Sequence, residues 1–478
     1  LTCLLCVSLC LVAAASANPE ANVVAPGWER SYQAGMNDRN GYYMGGASIT
    51  HMVAHQGLLF AGNSYWMDPR NPWYGGRDLN TGWGQILRLD RPGGSWAVEL
   101  EMGPQHLRCE ILKSVTFQTD GAGRTLKRPV NLLLASTFTP VSDRVEVSLF
   151  TRDDATGKWI RSKVYSGEKP ENLNDVGARA MGVHPDKVTG VDRLFLSIGK
   201  LGIFSGVYDE GADGKVKWSS ESESGPVETR PLAIIEANGD LLFSAGRKIY
   251  RRIDVADPSY EVIQDLSDLY PAAANQPAGG IRGLTAITNP KGNGESLIFA
   301  MWEGSPSRGE VYRLDPKTDG TFTRTREMAI ADLMSQYLDG NPVLSVGAAY
   351  NDFFPVTDPA TGKTVHLFGF VSWIGGHDFP RWEGNENGGF YAGSVVVIRD
   401  EQGRYRMKEV NGRSTPSKPI LVATRCFAIS PFPADVGRAI YFGGHDQSYR
   451  PSPNMAWIFS TQLDDFLRSE EYKGVPGF

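Results

Sequence analysis

Five arginines recur at one place in a repeating pattern, each opening a short apolar strand. They are Arg108, Arg179, Arg230, Arg282 and Arg425, in segments such as Leu107-Arg108-Cys109-Glu110-Ile111 and Thr424-Arg425-Cys426-Phe427-Ala428. A guanidinium binds carboxylate, sulfate or phosphate through two parallel hydrogen bonds, so a cluster of them is an anion site. The competing reading is structural, with each arginine bonding carbonyls or acids of a neighbouring repeat; Glu110, Asp175 and Glu228 are available for that. Two other repeats place Ser48 and Gly347 in the arginine slot, and three residues further on they carry His51 and Tyr350. These two side chains can move protons, with Arg425 lying between them in repeat order. The alternative is that both are bulk that plugs an axis.

A second constellation lies after a neighbouring apolar strand. It reads Gly375-Gly376-His377-Asp378 in one repeat and Gly443-Gly444-His445-Asp446 in another, with Ala61-Gly62-Asn63 in register in a third. Two histidines and two aspartates are a candidate set for zinc or calcium, and equally a pair of turns. Tryptophans crowd the same loops, Trp302 and Trp373 among them, and suit stacking on sugar rings. The sequence thus nominates His51, Tyr350 and Arg425 for catalysis. It nominates Arg108, Arg179, Arg230, Arg282, Asn63, Trp302 and Trp373 for ligand binding, and His377, Asp378, His445 and Asp446 for metal. It specifies no further cofactor.

The elements that must position these residues are repeated too. Seven apolar strands of the type Leu58-Leu59-Phe60-Ala61-Gly62 and Ala439-Ile440-Tyr441-Phe442-Gly443 follow the first strands. Six tight turns carry Asp or Gly and then an aromatic, as in Asp153 to Trp159 and Asp400 to Tyr405. The last repeat lacks its final strand, and Gly27-Trp28-Glu29-Arg30-Ser31-Tyr32 supplies the missing piece from the other end. This pattern resembles an all-β, seven-bladed β-propeller of four-stranded blades, closed by the N-terminal strand, over about residues 28–460. One blade cannot bury both sheet faces alone, so 18–478 is expected to be a single domain with a short C-terminal tail. A short helix is expected over Ile330–Leu338.

Leu1 to Ala17 is uncharged, mostly apolar, and ends in Ala15-Ser16-Ala17. It reads as a signal peptide, which predicts a secreted or periplasmic protein. No later stretch is long and apolar enough for a membrane helix. Cys109 and Cys426 lie in non-adjacent repeats and are expected to be buried free thiols. With 48 basic and 54 acidic side chains the chain is mildly acidic, which disfavours nucleic acid as a partner. The expected partner is an anionic polysaccharide or small anion, bound by a monomer.

In fold and in its inventory of His, Tyr and Arg, the chain is also similar to secreted ulvan-lyase-type polysaccharide lyases. The residues themselves allow β-elimination on a uronate, with Arg425 and a neighbouring arginine neutralising the carboxylate and Tyr350 and His51 as base and acid in either order. No local motif is shared, so no residue is transferred from that family. The alternative is a propeller that captures a glycan or peptide without chemistry.

Overall fold

In the computed structural model, the described residues are 24–66, 82–271, 279–292, 294–304, 306–337, 343–347, 351–374, 390–392, 395–411, 422–435, 438–446 and 454–468. The expected signal segment lies outside them. Seven four-stranded antiparallel sheets form the blades of a propeller. Their innermost strands are Ser48–His55, Ile111–Thr119, Met181–Pro185, Pro231–Ala237, Gly280–Thr288, Phe354–Thr357 and Val422–Ile429. The ring closes as expected: Trp28–Gln33 pairs antiparallel with Ala456–Gln462, with Trp28 opposite Thr461. A blade exposes two apolar faces, and each is covered by its neighbour. One core cluster joins Phe117 and Leu134 of blade two to Leu194 and Phe204 of blade three. A short helix, Ile330–Tyr337, follows blade five, and a second, Leu463–Arg468, follows the closing blade.

The blade seams are held by a second arginine repeat. Glu99 ends blade one and takes Arg88 of its own blade, Arg152 of the next (3.0 Å) and the indole N–H of Trp159 (3.1 Å). Glu327 does the same for Arg313, Arg399 (2.7 Å) and Tyr405 at the seam between blades five and six. Glu223 holds Arg252 (2.6 Å) and Tyr260 (2.7 Å). Trp159, Tyr260 and Tyr405, each following a turn, are therefore seam residues.

Blade six departs from the expected alignment. Its inner strand is Phe354–Thr357, paired with Thr364–Phe368. Val343–Gly347 instead pairs with Val371–Ile374 in a separate three-stranded sheet that includes Phe390–Ala392. The ladder breaks where Asn351 turns its amide onto carbonyls of other blades, Thr50 (3.0 Å) and Arg425 (2.9 Å). Gly347 therefore does not occupy the arginine slot. Cys109 and Cys426 are buried free thiols, whose pKa burial pushes up.

Candidate functional site: an arginine-lined axial chamber

Bulges at the start of the inner strands set which side chains reach the axis. In blade seven Thr424 faces Gly444 and Cys426 faces Gly443, so Arg425 is the extra residue of a bulge. Blade five is bulged between Arg282 and Thr285, and Gly283 there holds φ at +63°, which favours glycine. Blade four is bulged between Pro231 and Ala233, just after Arg230. Blade one is bulged between Ile49 and His51, so His51 faces Gly62 and Met52 faces Ala61. Ala61 follows Phe60 as Gly443 follows Phe442, which puts His51 within a residue of the Arg425 level. Ser48 does not occupy that level. It is buried, with Oγ 3.3 Å from Nδ1 of His445.

The consequence is convergence. Arg108, Arg179, Arg230, Arg282 and Arg425, from five blades, line one axial chamber of about 390 Å³ together with His51, Trp66, Glu110, Asn174, Trp302 and Asn351. Glu110 is the single carboxylate among the described lining residues. It is fully buried, bonds Nε of Arg108, and lies 3.1 Å from Nε of Arg179. Arg230 donates from Nη1 to Asn174 Oδ1 (2.9 Å), and its Nε is buried without a hydrogen-bond partner among the described residues. The Arg282 guanidinium sits 4.4 Å from the ring centre of Trp302, and those of Arg108 and Arg425 each 5.8 Å from that of Trp66.

The electrostatics follow from the crowding. Burial and the Arg108 charge bring Arg230 down to about 10. Burial together with Arg108, Arg230 and Arg425 puts Arg179 well below its ordinary value, against the opposing pull of Glu110. Burial alone would raise Glu110, but Arg108 and Arg179 hold its carboxyl below the usual range. His51 is lowered to about 4, chiefly by burial, with Arg179 and Arg425 adding to it. Its Nε2 lies 2.8 Å from the Glu110 carbonyl oxygen, which can only accept. Nε2 therefore carries the proton and donates it, and Nδ1 keeps a lone pair.

Other nominated residues fall elsewhere. Asn63 is fully buried, and its amide donates to Gly45 O (2.5 Å), Tyr32 (3.3 Å) and Gln85 (3.2 Å), so it braces blade one and does not line the chamber. Trp373 lies on the Val371–Ile374 strand opposite Ser345 and Tyr391, away from the described chamber lining. His445 is buried against Ser48. Asp446 pairs through its backbone with Val422, and its side chain is outside the described set. Tyr350, His377 and Asp378 lie outside the described residues. Among the described residues no three His, Cys, Asp or Glu side chains gather as a metal set. Sequence reasoning missed Asn351 and Asn174 as lining residues. Asn351 adjoins Tyr350, but nothing in its spacing marks it out.

No protein-family model matches the chain, and no curated protein matches it in sequence. Among solved structures it is similar to the GH93 α-L-arabinofuranosidase of Fusarium graminearum in complex with arabinobiose, at 12% identity and a TM-score of 0.43, over 93% of this chain and 99% of that one. It is similar to a GH43 β-1,3-galactosidase with galactodeoxynojirimycin at 10% identity and a TM-score of 0.32, over 80% of this chain and 100% of that one. A Dyadobacter fermentans protein of unknown function gives 10% and 0.37, over 91% and 100%. Both named enzymes are glycoside hydrolases rather than lyases, and with TM-scores below 0.5 these likenesses carry no argument about what this chain binds. The seven closed sheets establish the propeller by themselves.

Proposed function

We propose that the axial chamber binds an anionic ligand, a saccharide bearing a carboxylate. The observation that carries this reading is the meeting of five arginines, each from a different blade, on one cavity. Guanidiniums packed closely enough to depress one another's pKa gain from an incoming negative charge. A carboxylate facing two of them would be held bidentately. Trp66 and Trp302 on the wall carry the guanidiniums of Arg108, Arg282 and Arg425 against their rings, which holds those charges at the cavity.

A second reading, β-elimination, is favoured by the His51 tautomer. With its carboxylate neutralised by arginine, a uronate loses the proton on the adjacent carbon to His51 Nδ1. The electron pair left behind forms the ring double bond as the neighbouring C–O bond breaks. The departing oxygen then takes a proton, for which Tyr350 is the sequence's candidate. His51 is neutral above about pH 4, as a base must be.

Calorimetric titration with glucuronate and with neutral glucose separates anion binding from general sugar binding. Glucuronate is expected to bind, more weakly as salt is raised, and glucose is not. Equal binding of both would remove the arginine argument. Appearance of the ultraviolet-absorbing unsaturated uronate on incubation with uronic polysaccharides, lost in His51→Ala, would establish the lyase reading. Binding without that chromophore leaves capture as the function.

A further inference from the structure

We propose that His51 and Asn351 form a paired hydrogen-bond acceptor in the arginine chamber, which reads hydroxyl groups on the ligand. This rests on the anion site proposed above and narrows its ligand to a hydroxy acid: a carboxylate for the arginines and hydroxyls for the pair.

Donors crowd the chamber and acceptors are few. Its five arginines and two tryptophans can only donate. Among the described lining side chains, acceptors stand on Glu110, Asn174, His51 and Asn351. Two of these are spent within the wall. The Glu110 carboxylate takes Nε of Arg108 and lies 3.1 Å from Nε of Arg179, and Asn174 Oδ1 takes Nη1 of Arg230 (2.9 Å). The other two are held so that the acceptor atom is left over. Nδ2 of Asn351 donates to the carbonyls of Thr50 (3.0 Å) and Arg425 (2.9 Å). A carbonyl cannot donate, so the amide cannot be turned around, and Oδ1 keeps its lone pairs. Nε2 of His51 donates to the Glu110 carbonyl (2.8 Å), which leaves the lone pair on Nδ1. Neither Oδ1 nor Nδ1 takes a hydrogen bond from a described residue.

The fold brings the two acceptors together. His51 and Asn351 both line this chamber and the cavity of about 290 Å³ that adjoins it. Thr50, whose carbonyl anchors Asn351, is bonded directly to His51. Arg425, whose carbonyl is the second anchor, lines the same chamber. An anion without hydroxyls satisfies the arginines and strips both acceptors of water without replacing it. A site with fixed polar groups rejects an analogue that lacks the matching hydroxyl, because its own groups are then left unpaired. Glucuronate offers no glycosidic oxygen at its fourth carbon to expel, so Nδ1 meets it as an acceptor only.

The test is calorimetric titration with glucuronate and with tetrahydropyran-2-carboxylate, the same ring and carboxylate without hydroxyls. Glucuronate is expected to bind more tightly by about tenfold for each acceptor engaged, about a hundredfold in all. In Asn351→Ala that preference is expected to fall by about tenfold. His51→Ala is expected to do the same, and serves if the first variant does not fold. Equal affinity for the two acids in the parent protein would overturn the acceptor pair and leave the anion site standing. Failure of both acids to bind would overturn both. A preference undiminished in the variants would place the hydroxyl contacts elsewhere. An equal loss for the two acids in Asn351→Ala would make that residue a support for Arg425 rather than a reader of hydroxyls. Either result overturns the proposal.

Discussion

Two sets of arginines in this molecule, both largely withdrawn from water, are opposite in electrostatic character. At the seams Arg88, Arg152, Arg252, Arg313 and Arg399 lie against carboxylates, and these raise each guanidinium above its ordinary pKa although burial opposes it. At the axis Arg179 and Arg230 are lowered, because burial is compounded by neighbouring arginines. A fold that needed arginine only as a fastener would place acids beside it, as the seams do. Gathering guanidiniums around one glutamate is unfavourable for the free protein, and that contrast is the ground for the anion site proposed above.

The largest effect expected from breaking this contrast lies at a seam. Glu327 joins Arg313, Arg399 and Tyr405, and its side chain is 5% exposed. Glu327→Ala strands the buried Arg399 guanidinium, while Arg313 keeps Asp315 (2.7 Å), with an expected loss of about 3–5 kcal/mol. Denaturant midpoints measure it. A loss under about 1 kcal/mol would mean that the seam arginines find other partners, and that the two sets do not differ as argued.

Glu110→Gln is expected to cost about 2–3 kcal/mol, because Arg108 and Arg179 lose the charge between them while the amide keeps some hydrogen bonding. The two losses are expected to differ in their response to ligand, because a ligand stabilises either variant according to its affinity and Glu110→Gln leaves more uncompensated positive charge for an anion. Thermal melts at one fixed glucuronate concentration read the difference: Glu110→Gln is expected to gain more than Glu327→Ala, and an equal gain would mean that Glu110 does not compete with the anion.

How much of this was legible beforehand divides along the same line. The propeller and its closure were readable, since strand alternation, Asp/Gly turns and the stranded Trp28 segment are local signals that repeat. The axial arginines were readable because they share a register with apolar strands. The seam device was half visible. Its aromatics, Trp159, Tyr260 and Tyr405, stand out after each turn, but their glutamates belong to a different blade, and no spacing announces that. The Arg-x-Asp step on the third strands, as in Arg88 to Asp90 and Arg252 to Asp254, was the available signal. His51 was found, but at the wrong level. A one-residue bulge flips the side-chain register, and bulges leave no mark that survives in a gapless alignment. Asn63 was misplaced because adjacency to the Gly-Gly-His-Asp loops says nothing of which face a strand residue takes; its face is inward.

Acid gives a smaller handle. His51, His106 and His366 are each lowered to about 4 by burial, against about 6.5 when unfolded. Between those values the unfolded chain holds more protons, so stability rises with pH across the window and is lost as pH falls through it. His51 faces the chamber and is partly solvated, so its share is on the order of 1–2 kcal/mol. His51→Gln is expected to flatten the stability difference between about pH 4 and pH 6.5 by that amount. An unchanged slope would mean that His51 meets solvent freely.

The smallest effect on stability is expected at Arg230, and it is the sharpest test of the comparison. Its side chain is 6% exposed, and deleting a buried hydrogen-bonded arginine ordinarily costs several kcal/mol. Here the deletion loses a bond to Asn174 but also relieves repulsion from Arg108. The two oppose, so Arg230→Ala is expected to shift stability by no more than about 0.5 kcal/mol while lowering glucuronate affinity about tenfold or more. Arg252→Ala at a seam, equally buried, is expected to show the reverse: a loss of about 3–5 kcal/mol with affinity intact. Matched denaturant and calorimetric measurements on this pair decide whether the axis is built for a ligand. If Arg230→Ala destabilises as much as Arg252→Ala, the axial arginines are fasteners too.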